Sequence, residues 1–77
     1  MSKPTRITNS IRALRFAHGE MTQAELAQRI GVTRQTIIAI EQGKYSPSLE
    51  MAFQIARVFN AALDDVFQYP DGEGDHR

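Results

Sequence analysis

Residues 22–43 read TQAELAQRIGVTRQTIIAIEQG and contain the strongest structural pattern in the chain. Thr22 with Glu25 three residues later forms a capping box, the pattern with which a helix begins. A second helix begins at Thr33, another residue favoured as an N-cap. Gly31 lies in the short turn between them, and a turn of this length and composition is typical of a helix-turn-helix rather than of an antiparallel helix pair.

The composition limits the chain to one small domain. Its 77 residues, 42% of them hydrophobic, suffice for a single core. The chain contains no cysteine, which excludes disulfide bonds and cysteine-ligated metals. Its apolar runs are too short to span a membrane, and its N-terminus lacks the apolar segment of a signal peptide. We therefore expect a cytoplasmic protein.

The formal net charge is zero, but the charges are unevenly distributed. Residues 1–45 hold seven Lys or Arg and three Glu, whereas residues 46–77 hold two basic and six acidic residues. A domain with this polarity can present its basic half to phosphates and keep its acidic half away from them. Small proteins often show such asymmetry by chance, so the distribution alone does not identify a partner.

The rest of the chain follows helical periodicity, without an alternating strand pattern. A first helix is predicted over residues 8–17, with Ile11 and Leu14 facing inward. Helices 2 and 3 bury an apolar face in the predicted core. Its members are Leu26, Ala27, Ile30, Ile37 and Ile40.

Two further helices are predicted in the acidic half. Helix 4 begins at a cap formed by Ser46 or, one turn later, by Ser48, and helix 5 covers residues 63–67. Ala62, directly before helix 5, has no side-chain oxygen with which to cap it. Residues 70–77 are rich in Gly and acidic residues and are predicted to be a disordered tail. The core-facing residues of helix 4 are Leu49, Ala52, Ile55, Ala56 and Phe59.

Together these segments resemble the Cro/cI-type, or XRE, family of helix-turn-helix proteins. The resemblance rests on TQAELAQRIGVTRQTI, on the IE and GK that follow it, and on the later runs PSLE and LDDVF. It implies an all-α fold: a five-helix, lambda-repressor-like DNA-binding domain over residues 1–69, with the helix-turn-helix at helices 2 and 3. It also implies a protein that binds double-stranded DNA, usually as a two-fold dimer.

Helix 3 is then the helix expected to enter the major groove, with its N-terminal residues at the base edges. Arg34 matches guanine O6 and N7, and Gln35 matches adenine N6 and N7. Ile38 lies off the core-facing side and can pack on a thymine methyl, or it is simply an exposed apolar residue. We predict base contacts from these three residues.

Contacts to the DNA backbone are expected around helix 3. The first turn of helix 2 favours anions through its free N–H groups and its dipole. Arg6 and Arg12 are weaker candidates for phosphate contacts. The principal predicted backbone contacts are Gln23, Thr33, Thr36, Lys44 and Tyr45.

The family resemblance also implies an ion pair between Arg15 in helix 1 and Glu41 at the end of helix 3. Spacing places Glu41 on the inward side, where a carboxylate needs a partner. We therefore predict a partly buried, bidentate structural pair; the alternative is that Arg15 contacts phosphate. The apolar residues of the C-terminal region exceed the needs of one core, and we predict a dimer interface at Leu63, Val66, Phe67 and Tyr69.

The leading functional hypothesis is a sequence-specific transcriptional regulator, acting as a repressor that binds an inverted repeat as a homodimer. The alternative is an antitoxin or another protein-interaction module. An enzyme is poorly supported, because the only histidines are His18 and His76, and the adjacent Asp64 and Asp65 suit a helix N-terminus. No metal site, cofactor or small-molecule ligand is predicted.

Overall fold

The computed structural model describes residues 5–70 and is mostly helical. The prediction of five helices is confirmed, but a small two-stranded sheet accompanies them. The predicted tail, residues 70–77, lies outside the described residues except for Pro70. The elements in chain order are β1 (Thr8–Asn9), α1 (Ile11–Ala17), α2 (Gln23–Ile30), α3 (Arg34–Glu41), α4 (Leu49–Val58), α5 (Leu63–Val66) and β2 (Phe67–Gln68).

The sheet corrects the predicted start of the first helix. Thr8 pairs with Gln68 in an antiparallel register, so residues 8 and 9 are extended and α1 begins only at Ile11. The amide of Ser10 donates to the carbonyl of Val66 at 2.8 Å. Backbone groups that a helix would have used are thus satisfied by the other end of the chain, a contact that local sequence cannot reveal.

The capping box of α2 is confirmed. The Thr22 hydroxyl accepts from the Glu25 amide at 3.0 Å, and the Glu25 carboxylate accepts from the Thr22 amide at 2.8 Å. Gly31 ends the helix with φ of 78°, a left-handed conformation that glycine adopts without steric cost. Thr33 caps α3 as predicted, accepting from the Thr36 amide at 3.3 Å.

The two central helices pack on α1 and α4 through one apolar cluster. Ile37 and Leu26 are completely buried in it, and Met21, the residue before the cap of α2, joins them. Within the described residues, every buried side-chain nitrogen or oxygen has a hydrogen-bond partner. The other buried members of the core are Ile11, Ala27, Ile30, Ile40, Ile55, Ala56, Phe59 and Val66.

The acidic half differs from the prediction in two details. Ser48, rather than Ser46, caps α4, so Leu49 becomes its first residue and is 67% exposed. The prediction that Leu49 faces the core is therefore wrong. Helix α5 has a single turn, with Ala62 at its N-cap making no side-chain bond, and Phe67 belongs to β2. Pairing of β2 with β1 fixes the position of the chain directly after this short helix.

Candidate DNA-binding face

Helix α3 separates its side chains into a core side and a solvent side. Ile37 and Ile40 are buried, whereas Arg34 and Gln35 in the first turn are exposed. Ile38, predicted to be exposed in a monomer, is half-buried. The buried isoleucines fix the rotation of the helix about its axis, so its polar N-terminal turn faces outward.

A network of hydrogen bonds around an ion pair joins the C-terminal end of α3 to α1. Arg15 Nε donates to Glu41 Oε2 at 2.8 Å, and Arg15 Nη2 donates to Glu41 Oε1 at 3.1 Å, the bidentate arrangement predicted from sequence. The Arg15 residue is only 7% exposed. Its remaining nitrogen, Nη1, donates to the Met21 carbonyl at 2.8 Å, which anchors the segment leading into α2.

The start of α2 lies beside this network. Gln23, the first residue of the helix, is half-buried, and its Nε2 donates to Glu41 Oε1 at 3.2 Å. The first backbone bond of the helix runs from the Leu26 amide to the Thr22 carbonyl. The amides of Gln23 and Ala24 precede it and have no partner within the helix, so they are available to an anion.

The remaining predicted backbone contacts lie at both ends of α3. Thr33 and Thr36 are neighbours, with their hydroxyls 3.1 Å apart, and Thr33 also serves as the cap. Lys44 and Tyr45 follow the helix and are exposed. Gly43, with φ of 75°, turns the chain so that the Lys44 amide can reach the Ala39 carbonyl at 2.9 Å.

A groove between α1, the start of α2 and α3 contains residues that sequence reasoning did not assign. Phe16 lines it and is 54% exposed. The guanidinium carbons of Arg12 and Arg15 lie 5.5 Å and 5.6 Å from its ring centroid, within cation–π range. Arg34 lines the same groove. Helical spacing of Arg12 and Phe16 was the available signal, since residues four apart share a face.

The predicted dimer residues occupy different environments. Val66 is fully buried in the core of its own chain, so its assignment to an interface between chains is wrong. Tyr69 is exposed, with the Arg6 guanidinium carbon 5.6 Å from its ring centroid. Leu63 and Phe67 are half-buried and lie, with Tyr69, on a surface that Asp64 and Gln68 also line. We call its apolar part the apolar face, formed by Ile7, Pro47, Leu49, Leu63, Phe67 and Tyr69.

Other kinds of site are not evident in residues 5–70. No cluster of three or more His, Cys, Asp or Glu is arranged to hold a metal ion in this part of the chain. Among the helices described, none is long and apolar enough to cross a bilayer.

Comparison with known proteins identifies the family. A helix-turn-helix family model matches residues 11–66, from α1 to α5. An uncharacterized HTH-type transcriptional regulator of Archaeoglobus fulgidus is 54% identical over 63 residues, which are 82% of this chain and 89% of that protein. One from Methanocaldococcus jannaschii is 51% identical over 65 residues, covering 84% of this chain and 97% of that protein.

Solved structures agree on the fold. The restriction-modification controller protein C.AhdI of Aeromonas hydrophila superposes with a TM-score of 0.65 at 27% identity, covering 71% of this chain and 78% of that chain. A Bacteroides fragilis protein superposes with a TM-score of 0.70 at 26% identity, covering 80% and 98%.

The chain belongs to the XRE-type helix-turn-helix family, with a lambda-repressor-like fold. It is a DNA-binding transcriptional regulator, a class of protein that is not enzymatic. The alternative hypothesis of an antitoxin is not favoured by these comparisons.

Proposed function

We propose that this regulator is a repressor that binds an inverted-repeat operator as a homodimer. The proposal rests on the exposed first turn of α3. This turn faces outward because the opposite side of the same helix is buried in the core. Arg34 and Gln35 project from that turn, at the end of the recognition helix that reaches base edges in this class of docking. Occupation of promoter DNA by such a dimer blocks transcription without requiring another activity.

Arg34 and Gln35 are the principal base readers in this proposal. Both are exposed and are consecutive residues in the first turn of α3. A guanidinium fits the two acceptors of guanine, and a carboxamide fits the acceptor and donor of adenine. Ile38 is half-buried, so only part of its side chain is available for a thymine methyl.

The proposed backbone contacts lie around α3. The amides of Gln23 and Ala24 and the side chain of Gln23 form an anion-favouring helix start, and Gln23 bonds to Glu41 at the C-terminal end of α3. Lys44 and Tyr45 are exposed just beyond that same end. Thr33 and Thr36 lie at the N-terminal end of α3. These groups set the register and affinity of binding but carry no sequence information.

The apolar face is the surface we assign to the homodimer. Leu49 is 67% exposed and lines the same shallow groove as Leu63 and Phe67, although leucine and phenylalanine are usually buried. Leu63 and Phe67 are only half-buried, and an apolar surface left partly uncovered in this way supports an interaction site there. A two-fold dimer would place its recognition helices on half-sites about 10 base pairs apart, one turn of DNA. Such a protein would act in the cytoplasm, where it meets the chromosome.

Selection of bound sequences from a random duplex pool tests the proposal directly. We expect an enriched inverted repeat whose half-sites are about one helical turn apart. A matched selection with the variant carrying both Arg34→Ala and Gln35→Ala should lose the motif while retaining weak, salt-sensitive binding. Recovery of no motif by the unmodified protein at moderate salt would refute sequence-specific binding, and recovery of single, unpaired half-sites would refute the dimeric operator.

A further inference from the structure

The Glu41 carboxylate connects three helices. It accepts two hydrogen bonds from Arg15 of α1 and one from Gln23 of α2, while Glu41 itself ends α3. Its Oε1 atom is shared, since it accepts from Arg15 Nη2 at 3.1 Å and from Gln23 Nε2 at 3.2 Å. The ion pair alone does not explain this third contact.

The contact with Glu41 determines the orientation of the Gln23 side-chain amide. A carboxylate only accepts hydrogen bonds, so Glu41 holds the NH2 group of Gln23 and not its carbonyl oxygen. That nitrogen has a second N–H, which remains free to donate. A DNA phosphate is also an acceptor only, so the amide is held in a sense that suits a phosphate.

We propose that Glu41 is a positioning residue for DNA binding, acting through Gln23. It orients the Gln23 amide directly, and through Arg15 Nη1 and the Met21 carbonyl it holds the segment on which α2 begins. This inference rests on the proposed phosphate contact at the start of α2. Glu41 itself does not contact DNA in this proposal.

Electrostatics alone predicts the opposite effect for a change at Glu41. A carboxylate near the DNA-binding face repels phosphates, so its neutralisation should strengthen binding to any duplex. Positioning predicts weaker binding, because Glu41→Gln leaves one acceptor oxygen for three donors that now share two, so the Gln23 amide is no longer held in a single orientation. The sign of the change in affinity therefore distinguishes the two explanations.

The test is a double-mutant cycle with Gln23→Ala, Glu41→Gln and the double variant, measured by fluorescence anisotropy on the selected operator duplex. Circular dichroism establishes a temperature at which each variant is folded. We expect Gln23→Ala to weaken binding about tenfold, Glu41→Gln to weaken it several-fold, and the double variant to match Gln23→Ala within about twofold. Gln54→Ala, at an exposed glutamine of α4, is the matched control and should leave affinity unchanged.

Tighter binding by Glu41→Gln, or losses that multiply in the double variant, would overturn the proposal. Should Glu41→Gln fail to fold, Glu41→Asp retains the charge but withdraws the carboxylate by one methylene, and the same non-multiplying loss is expected. In the unmodified protein, NMR should show the Gln23 side-chain NH2 signals displaced from those of Gln54. Coincident signals would show that the amide is not held.

The NMR measurement needs no DNA, so it separates this inference from the proposed function. If the unmodified protein selects no DNA sequence, the proposed function fails whether or not the Gln23 amide is held. If the protein binds its operator and the cycle is additive, the positioning role of Glu41 fails alone.

Discussion

Replacement of Arg15 by methionine should remove a large part of the folding free energy. Methionine retains an apolar stem of similar length, so the change isolates the guanidinium. Arg15 is 7% exposed and the Glu41 side chain 10% exposed, so both charged groups are largely shielded from water. The variant leaves the Glu41 carboxylate with only the Gln23 amide, and leaves the Met21 carbonyl without its donor.

The size of the effect follows from this burial. Removal of one partner of a buried ion pair costs about 3–5 kcal/mol, because the other charge is left uncompensated. A domain of 77 residues has a total stability of about 4–12 kcal/mol. Arg15→Met should therefore lose at least a quarter of the free energy of unfolding, and a marginally stable chain would unfold.

Urea denaturation, monitored by far-ultraviolet circular dichroism, measures the loss of stability. The slope of the unfolding free energy against urea concentration should be the same for the variant and the unmodified protein. Arg29→Met, at an exposed arginine of α2, is the matched control and should change stability by less than about 0.5 kcal/mol. The double variant Arg15→Met with Glu41→Leu should recover much of the loss, since no unpaired charge remains. A loss below about 1 kcal/mol for Arg15→Met would refute the argument, because the Arg15–Glu41 pair would then contribute no more than an exposed salt bridge does.

Three further predictions concern DNA binding and assembly. Gln35→Ala should relax base preference at one position of each half-site by about 1–3 kcal/mol, measured by competition among duplexes that differ at that position; an unchanged preference would exclude it as a base reader. Lys44→Ala should weaken binding to all duplexes alike and reduce the salt slope by about 1, measured by titration at several salt concentrations; a sequence-dependent loss would contradict a phosphate contact. Leu49→Glu should shift sedimentation at micromolar concentration towards monomer, whereas Phe16→Glu, which adds the same charge at an exposed apolar residue of α1, should not. A dimer that is insensitive to Leu49→Glu would place the interface elsewhere.

Local sequence was sufficient for the helix-turn-helix itself. The capping box at Thr22 and Glu25, the cap at Thr33 and the left-handed Gly31 depend on residues within one turn of each other. Their hydrogen bonds form wherever such residues follow one another, so pattern reasoning found them. Helical spacing likewise identified Ile37 as a core residue.

Pattern reasoning failed where a choice depended on distant residues. Residues 8 and 9 were assigned to a helix, because nothing local shows that Gln68 would pair with Thr8. Leu49 was assigned to the core by its helical spacing from Ala52 and Ala56, but it is the first residue of α4 and is 67% exposed. Val66 was assigned to a dimer interface, although the fold of one chain already buries it.

Short-range patterns in the sequence predict a helix-turn-helix domain with Arg34 and Gln35 at the N-terminal end of α3, because capping and helical periodicity act within about one turn. How that helix is held depends instead on contacts between segments that are distant in the chain. The shared use of Glu41 by Arg15 and Gln23 joins residues 26 and 18 positions away from it in the chain. Such a contact requires that α1, α2 and α3 first pack around a common core, so its geometry is a property of the folded domain rather than of any segment.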